Sequence, residues 1–231
     1  MLATIALLVP LAAGCGSTGK KAEPLPQGAE SVKLDPADFS AEIDNPYWPM
    51  RPGNKWVYRE GNARVEVTVT DKTKKIIGID ARVVHDVLTE DGKVEEDTFD
   101  WYAQDASGNI WYMGENTKEF GGGKVNTEGS WQAGVGGAQP GVLLPAEPKV
   151  GLSYRQEYYK GEAEDLAEVL SVDARARVPV GSFAQLLQTK EHTPLEPGVV
   201  EHKFYAKGVG PILAVTVSGG SGREELVERR Q

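Results

Sequence analysis

The chain is predicted to be all-β: an antiparallel curved sheet or incomplete barrel, folded as a single domain behind an N-terminal signal and tether. Three observations predict this. Apolar residues recur at every second position through most of the chain after residue 55. Turn-forming pairs such as Asp91-Gly92 separate these runs. Helical periodicity is scarce: Glu162–Val169 has the composition for two turns, but the alternation that follows draws it into a strand.

The first segment, Met1–Ala13, is apolar and too short to span a bilayer, which takes about 20 residues. Ala12-Ala13-Gly14 then gives a peptidase room to cut before Cys15, the one cysteine in the sequence. This is the layout of a bacterial lipoprotein signal, although Ala12 stands where Leu is preferred and no Lys or Arg precedes the apolar run. The thiol would take diacylglycerol, and two or three acyl chains anchor stably at roughly 0.8 kcal/mol per buried methylene. Residues 1–14 are therefore read as signal, 15–38 as lipidated cysteine and flexible tether, and 39–231 as the β domain. Pro24, Pro26 and Pro36 forbid a long helix in the tether.

Asn45-Pro-Tyr-Trp-Pro-Met50 and Arg51-Pro-Gly-Asn54 form a rigid lead into a strand at Lys55–Arg59. Val65, Val67 and Val69 alternate with polar residues in the next strand. In 77–87, Ile77, Ile79, Ala81, Val83 and Val87 share a face with His85, and Asp80, Arg82 and Asp86 point away. Thr98–Gln104 and Asn109–Gly114 make a hairpin around Asp105-Ala-Ser-Gly108. Further strands follow in 170–178, 201–206, 213–217 and 225–228. Gly121–Gly137 holds seven glycines and one large anchor, Trp131. It reads as a long loop, a mobile cover over the concave face of the sheet.

Composition excludes several functions. The net charge of −9 argues against a nucleic-acid partner. With Cys15 acylated, no thiol remains for a disulfide, a thiolate metal site or a nucleophile, so stability rests on an apolar core. Gly-x-Ser-x-Gly, a P-loop and His-Glu-x-x-His are all absent, and Gly134-Val-Gly136 lacks the strand–helix context of a dinucleotide fingerprint. No cofactor and no metal is expected. His85, His192 and His202 read as hydrogen-bonded histidines at the core margin rather than an acid/base or metal pair. Asp97, Asp100 and Asp105 read as part of a solvated acidic face rather than calcium ligands, because their loop lacks the every-second-position spacing of a calcium site.

Several blocks resemble a family of uncharacterised bacterial secreted lipoproteins of actinobacterial type. They are Asn45-Pro-Tyr-Trp-Pro with Pro52-Gly-Asn-Lys-Trp-Val-Tyr58, Glu96–Asp105, Gly108–Glu115, Gly129–Gly134, Val150–Tyr158, Gly181-Ser-Phe183 and Tyr205–Gly210. The resemblance implies a secreted antiparallel-β domain and transfers no catalytic residue.

The expectation is an exported protein, anchored to the bacterial cell membrane through acylated Cys15 and not an enzyme. It would bind an apolar small molecule, a lipid or an envelope protein. Trp56, Trp101, Trp111 and Trp131 are the candidate ligand-binding residues, as aromatics suited to line a concave face. The alternatives are a structural envelope component without ligand and, ranked below it, a carboxylate-based hydrolase.

Overall fold

A computed structural model describes residues 24–231, so the signal and Cys15 lie outside the described residues. After a 3-10 turn at Pro36–Asp38 come sixteen strands. They are β1 (Phe39–Ser40), β2 (Lys55–Glu60), β3 (Ala63–Ile76), β4 (Ile79–Glu90), β5 (Lys93–Asp105) and β6 (Ile110–Gly121). Then follow β7 (Lys124–Asn126), β8 (Trp131–Gln132), β9 (Gln139–Leu144), β10 (Ser153–Arg155) and β11 (Glu157–Tyr158). The last five are β12 (Leu166–Val178), β13 (Gly181–His192), β14 (Val200–Ala206), β15 (Gly210–Ser218) and β16 (Arg223–Arg230).

Thirteen of them form one antiparallel path, β10-β12-β13-β14-β15-β16-β2-β3-β4-β5-β6-β9-β11, nearly closed into a barrel. Its two ends are β10 and β11, which are separated in the chain by Gln156 alone. One short segment therefore pairs with β12 through Ser153–Arg155 and with β9 through Glu157–Tyr158. Closure demands close backbone approach: a Cβ on Gly141 would lie 2.3 Å from the carbonyl carbon and oxygen of Gln156. Only glycine fits there. Arg155, 1 % exposed, fastens the same seam by donating from Nη2 to the Pro140 carbonyl at 2.8 Å.

One end of the barrel is plugged. The segment before β2 crosses it, held on one side by Gln104, whose Oε1 accepts from the Asp44 and Asn45 amides. Asn45 Nδ2 donates to the Gly108 carbonyl at 2.9 Å. On the far side the Gly208 amide donates to the Pro46 carbonyl at 2.7 Å. Ile43, Tyr47 and Met50 are buried beneath it. The prolines and the Asn45 side chain, which also accepts from the Tyr47 amide, give this stretch a shape without a ladder of its own.

Two expectations change. Gly121–Gly137 is not a free loop: β7 and β8 both pair with β6, and Trp131 sits in the core at 4 % exposure. The glycines there serve tight turns, since Gly122, Gly123, Gly129, Gly134, Gly136 and Gly137 all have positive φ. The stretch expected to be tether also packs onto the barrel in its described part. Pro26 is buried, and Leu25, Val32 and Leu34 lie against the core. The 162–169 stretch enters β12 with no helix.

The barrel lumen as candidate binding site

Strand register identifies the inward face. Trp56, Val67, Asp86, Thr98 and Thr117 are neighbours across β2 to β6. Two residues along, Val69, Val84, Asp100, Glu115 and Trp131 form a second row, from β3 to β8. Two residues the other way, Tyr58, Val65, Leu88, Glu96 and Glu119 form a third. Side chains two apart on a strand share a face, and this face carries the fully buried Trp56. It is the inside.

The other half of the barrel contributes two matching rows. One is Val169, Thr189, Lys203, Ala214 and Glu224. The other is Tyr154, Ala167, Glu191, Glu201 and Thr216. The charge of Lys203 acts on Tyr58, Asp86 and Glu224, so both halves face one shared space.

Above the plug lies an aromatic floor. Trp48 meets Trp56 edge-on at 6.1 Å and Tyr102 at 5.9 Å. Tyr102 stacks on Tyr112 at 4.9 Å, and Tyr112 meets Trp131 edge-on at 5.3 Å. Most of their polar tips are satisfied. Trp56 Nε1 donates to the Val209 carbonyl at 2.8 Å, Tyr112 Oη to Asp100 Oδ1 at 2.6 Å, and Trp131 Nε1 to Glu157 Oε2 at 2.8 Å. Packed this way the rings close the barrel above the plug: Trp56, Tyr102 and Trp131 are buried and Trp48 and Tyr112 half-buried, while the heteroatoms of Trp56, Tyr112 and Trp131 are tied to the wall.

The walls above the floor are acidic. Burial, and then the charge of Glu224, pushes the Asp86 carboxyl up to about 7. Burial and the neighbouring Asp86 do the same to Asp100, also to about 7, against the hydrogen bond from Tyr112. Burial and Asp100 carry Glu115 to about 8. Burial raises Glu224 to about 7, with Lys203 pulling the other way. Glu157 is pushed well up by burial and by Asp165. Desolvation disfavours each ionised form, and every further carboxylate adds repulsion.

One lysine stands among them. Lys203 Nζ lies 2.9 Å from Glu191 Oε2 and 3.4 Å from Glu201 Oε2. Burial alone would lower it; Glu191 and Glu201 more than offset that and hold the ammonium well above its ordinary value. Glu191 Oε1 also accepts from Thr189 at 2.8 Å and Tyr205 at 3.2 Å. The Lys203 side chain is nonetheless 37 % accessible, although its row neighbours Val169 and Thr189 are fully buried. Water therefore reaches the Lys203 side chain. At the end away from the plug, Leu88, Glu96, Glu119, Phe120 and Lys124 line a depression of about 350 Å³.

The four tryptophans selected from sequence divide. Trp56 and Trp131 belong to the floor. Trp101 and Trp111 lie on the opposite face of the sheet, because Trp101 alternates with Asp100 and Tyr102, and Trp111 pairs with Ala103. Lys74 Nζ covers the Trp101 ring at 3.2 Å, and Phe39 packs edge-on against Trp111 at 5.9 Å. The histidines stay apart. His85 Nε2 meets Asp97 Oδ1 at 2.8 Å on the outer face and stacks on Phe99, while His202 Nδ1 meets Gln188 Nε2 at 3.1 Å. Asp97, Asp100 and Asp105 also separate: Asp97 holds His85, Asp100 faces inward, and Asp105 caps its own turn and accepts from Trp111.

Sequence reasoning missed Glu115, Lys203 and Glu224, and read Asp86 and Asp100 as outward or solvated where they face inward. The signal was present as alternation: Val84-x-Asp86-x-Leu88 on β4 and Glu96-x-Thr98-x-Asp100-x-Tyr102 on β5 place carboxylates in phase with apolar residues.

No family model and no curated protein matches the chain. Among solved structures it is similar to a candidate lipoprotein of Parabacteroides distasonis, at 11% sequence identity and a TM-score of 0.46, over 80% of this chain and 98% of that one.

Proposed function

We propose that the chain is an exported lipoprotein, held to a bacterial cell membrane through acylated Cys15, whose barrel binds a small molecule without transforming it. The observation that carries the binding is the lumen itself. It is plugged at one end by the segment around Asn45–Met50 and floored by Trp48, Trp56, Tyr102, Tyr112 and Trp131. It is also accessible as deep as Lys203. A structural component would gain stability by filling that space with side chains. Apolar contact against the floor and polar contact along the walls is the usual composition of a ligand site. The anchoring rests on the sequence before Cys15.

A second reading, hydrolysis by carboxyls, is favoured by Asp86, Asp100 and Glu224 titrating near neutrality. It ranks below binding because acid/base pairs need environments that drive two groups apart. Here Asp86, Asp100, Glu115 and Glu224 are all raised together.

Native mass spectrometry of the protein extracted from its own host tests the binding. The expected result is a non-covalent small-molecule adduct lost on denaturation. A bare polypeptide mass, with tryptophan fluorescence indifferent to apolar probes, counts against it. For the anchor, Cys15→Ser should leave the membrane fraction or persist as a longer precursor. Fractionation and migration like the unsubstituted protein would rule the anchor out.

A further inference from the structure

Three turns bring apolar side chains together on the flank of the barrel beside the seam. The first is the two-residue turn between β3 and β4, where Ile77 has a φ of 43° and Gly78 a φ of 89°. Such a turn favours Asn-Gly, and a β-branched residue at positive φ is strained. Ile77 is also 45 % exposed, so burial within its own barrel offsets little of that strain. Strain kept at an exposed apolar residue points to a use outside the fold. The second turn is Gly134–Gly137. A Cβ on Gly134 would lie 2.5 Å from Cγ2 of Ile77, and the next residue, Val135, is 56 % exposed. The third turn runs from half-buried Tyr159, just after β11, to Ala163. A Cβ on Gly136 would lie 3.1 Å from the Tyr159 hydroxyl oxygen. Ile77, Val135 and Tyr159 are therefore neighbours. Exposed Pro36 extends the patch, its Cγ 3.0 Å from where a Cβ on Gly78 would stand. Single exposed apolar residues are ordinary; a cluster gathered from three turns is not.

We propose that this patch rests on the lipid bilayer, with Ile77 and Val135 dipping below the headgroups and Tyr159 at their level. This rests on the reading of Cys15 as acylated, and goes beyond it by naming the surface that the anchor brings to the membrane. The chain joins the barrel on this flank, where the Pro26 carbonyl accepts from the Arg155 amide. Tyr159 follows Arg155 by four residues, so it lies within about 14 Å of that point. From Cys15 to Pro26 the chain reaches at most about 40 Å, which puts the patch within range of the bilayer. Form agrees with this occupant. Ile77 and Val135 stand exposed on separate turns rather than lining a groove, which suits a fluid interface better than the fitted pocket of a protein partner. Composition agrees too. A tyrosine belongs at headgroup level. Lys160 is exposed directly after Tyr159, and Lys75, paired with Asp80 at 2.9 Å, keeps 63 % of its side chain accessible two residues before Ile77. Lysine stems lie along apolar contacts while their ammonium groups reach phosphates. The net charge of −9 opposes adhesion by charge alone, so the contact is short-ranged and follows from the anchor.

The test uses the thiol chemistry of the chain. Cys15 is the one cysteine, and acylation removes its thiol. Val135→Cys therefore gives the full-length lipoprotein a single site for a bimane dye. Val217→Cys is the control, 50 % exposed on β15 and four strands round from β10. Each protein is purified from membranes and reconstituted in vesicles of phosphatidylethanolamine and phosphatidylglycerol, with and without nitroxide-labelled lipid. The expected result is a blue-shifted dye at 135 that loses most of its emission to the nitroxide lipid, and a dye at 217 that keeps it. Adding Ile77→Asn to Val135→Cys should preserve the fold, because Asn-Gly suits the turn, and should cut the quenching at least twofold. An unquenched dye at 135, on protein that floats with the vesicles, overturns the proposal and leaves the anchor standing. Dye uptake by the unsubstituted protein means that Cys15 is free, and overturns the anchor and the proposal together. A blue shift at 135 that grows with protein concentration in detergent overturns the bilayer as occupant and makes the patch an interface between copies. Quenching undiminished by Ile77→Asn overturns the place of Ile77 in the contact.

Discussion

Arg155 and Pro140 meet across the seam of the barrel, where the guanidinium Nη2 donates to the proline carbonyl at 2.8 Å. The other terminal nitrogen, Nη1, donates to the carbonyls of Gly28 and Glu30, and the Arg155 amide donates to that of Pro26 at 2.6 Å. One residue thus joins β10, β9 and the N-terminal segment. Its charge is shielded from water and met by carbonyl dipoles, with Glu30 adding an opposite charge. A sheet that could remain open is held shut at one point.

Arg155→Met keeps the apolar stem and removes the donors. It should cost at least about 3 kcal/mol in denaturant unfolding, because several buried carbonyls lose a charged partner at once. Gly141→Ala should open the same seam by collision, since its new Cβ would meet Gln156 backbone that cannot step aside. In both variants amide exchange should accelerate at 139–144 and 153–158. Unchanged exchange there would show that the seam is held by something else.

Trp131→Ala should cost about 3–5 kcal/mol, as large-to-small changes in a well-packed core do. The loss includes its edge contact with Tyr112 and leaves Glu157 without the indole donor. A cost under about 1 kcal/mol, with faster exchange confined to 121–137, would instead restore the picture of a mobile cover that the sequence suggested.

Stability should fall as pH rises from about 4 to about 8. Asp86, Asp100, Glu115 and Glu224 all have folded-state pKa values raised to about 7 or 8. Between the ordinary carboxylate range and those values the folded state binds more protons than the unfolded state. Each deprotonation there costs folded stability, and the loss is complete above the raised values. Glu30, lowered by hydrogen bonds from Gln27 and its own amide, acts in the opposite sense but is a single exposed group. Lys203, raised, contributes stability that is lost only in strongly alkaline solution. Thermal melts at pH 5.5 and 8 should show the higher Tm at 5.5, and Asp100→Asn should shrink the difference. A higher Tm at pH 8 would mean that these carboxyls are hydrated and ionised in the native state.

The β architecture was legible because period-two alternation survives in every long strand, from Val65–Val69 to Leu213–Val217. What alternation does not reveal is which face turns inward. On β4, Ile79, Ala81 and Val83 mark one face, and the polar Asp86 suggests the other is solvated. In the barrel Asp86 looks in, because this lumen is lined with carboxyls and the outer face is itself covered in part by Phe39 and the Lys74 stem. The same inversion sent Trp101 and Trp111 to the outside, and a count of aromatics could not separate them from Trp56 and Trp131. Lys203 was hidden for a different reason: Glu191 meets it only through the register of the β13–β14 pairing, and Asp86 comes under its charge only through barrel closure.

The N-terminal segment gives the last prediction. Residues 16–28 read as dispensable from sequence, since they lack apolar periodicity and contain two prolines. The described part of that stretch instead supplies acceptors to Arg155, and Gln27 Nε2 donates to the Ser153 carbonyl. Glu30 stiffens the turn by accepting from the Gln27 and Gly28 amides. A chain starting at Ser31 should therefore unfold at lower denaturant than one starting at Pro24, by about 3 kcal/mol or more, because it strands Arg155 in the same way as removing the acceptors one by one. Equal midpoints would show that water replaces those carbonyls at no cost. The docking also bears on the anchor. If Cys15 is acylated, the chain from it to Pro26 can extend at most about 40 Å, which keeps the seam within that distance of the bilayer. Inserting a ten-residue Gly/Ser stretch after Ser17 lengthens that reach without touching the barrel, so the melt should stay unchanged while proteolytic release from whole cells becomes faster.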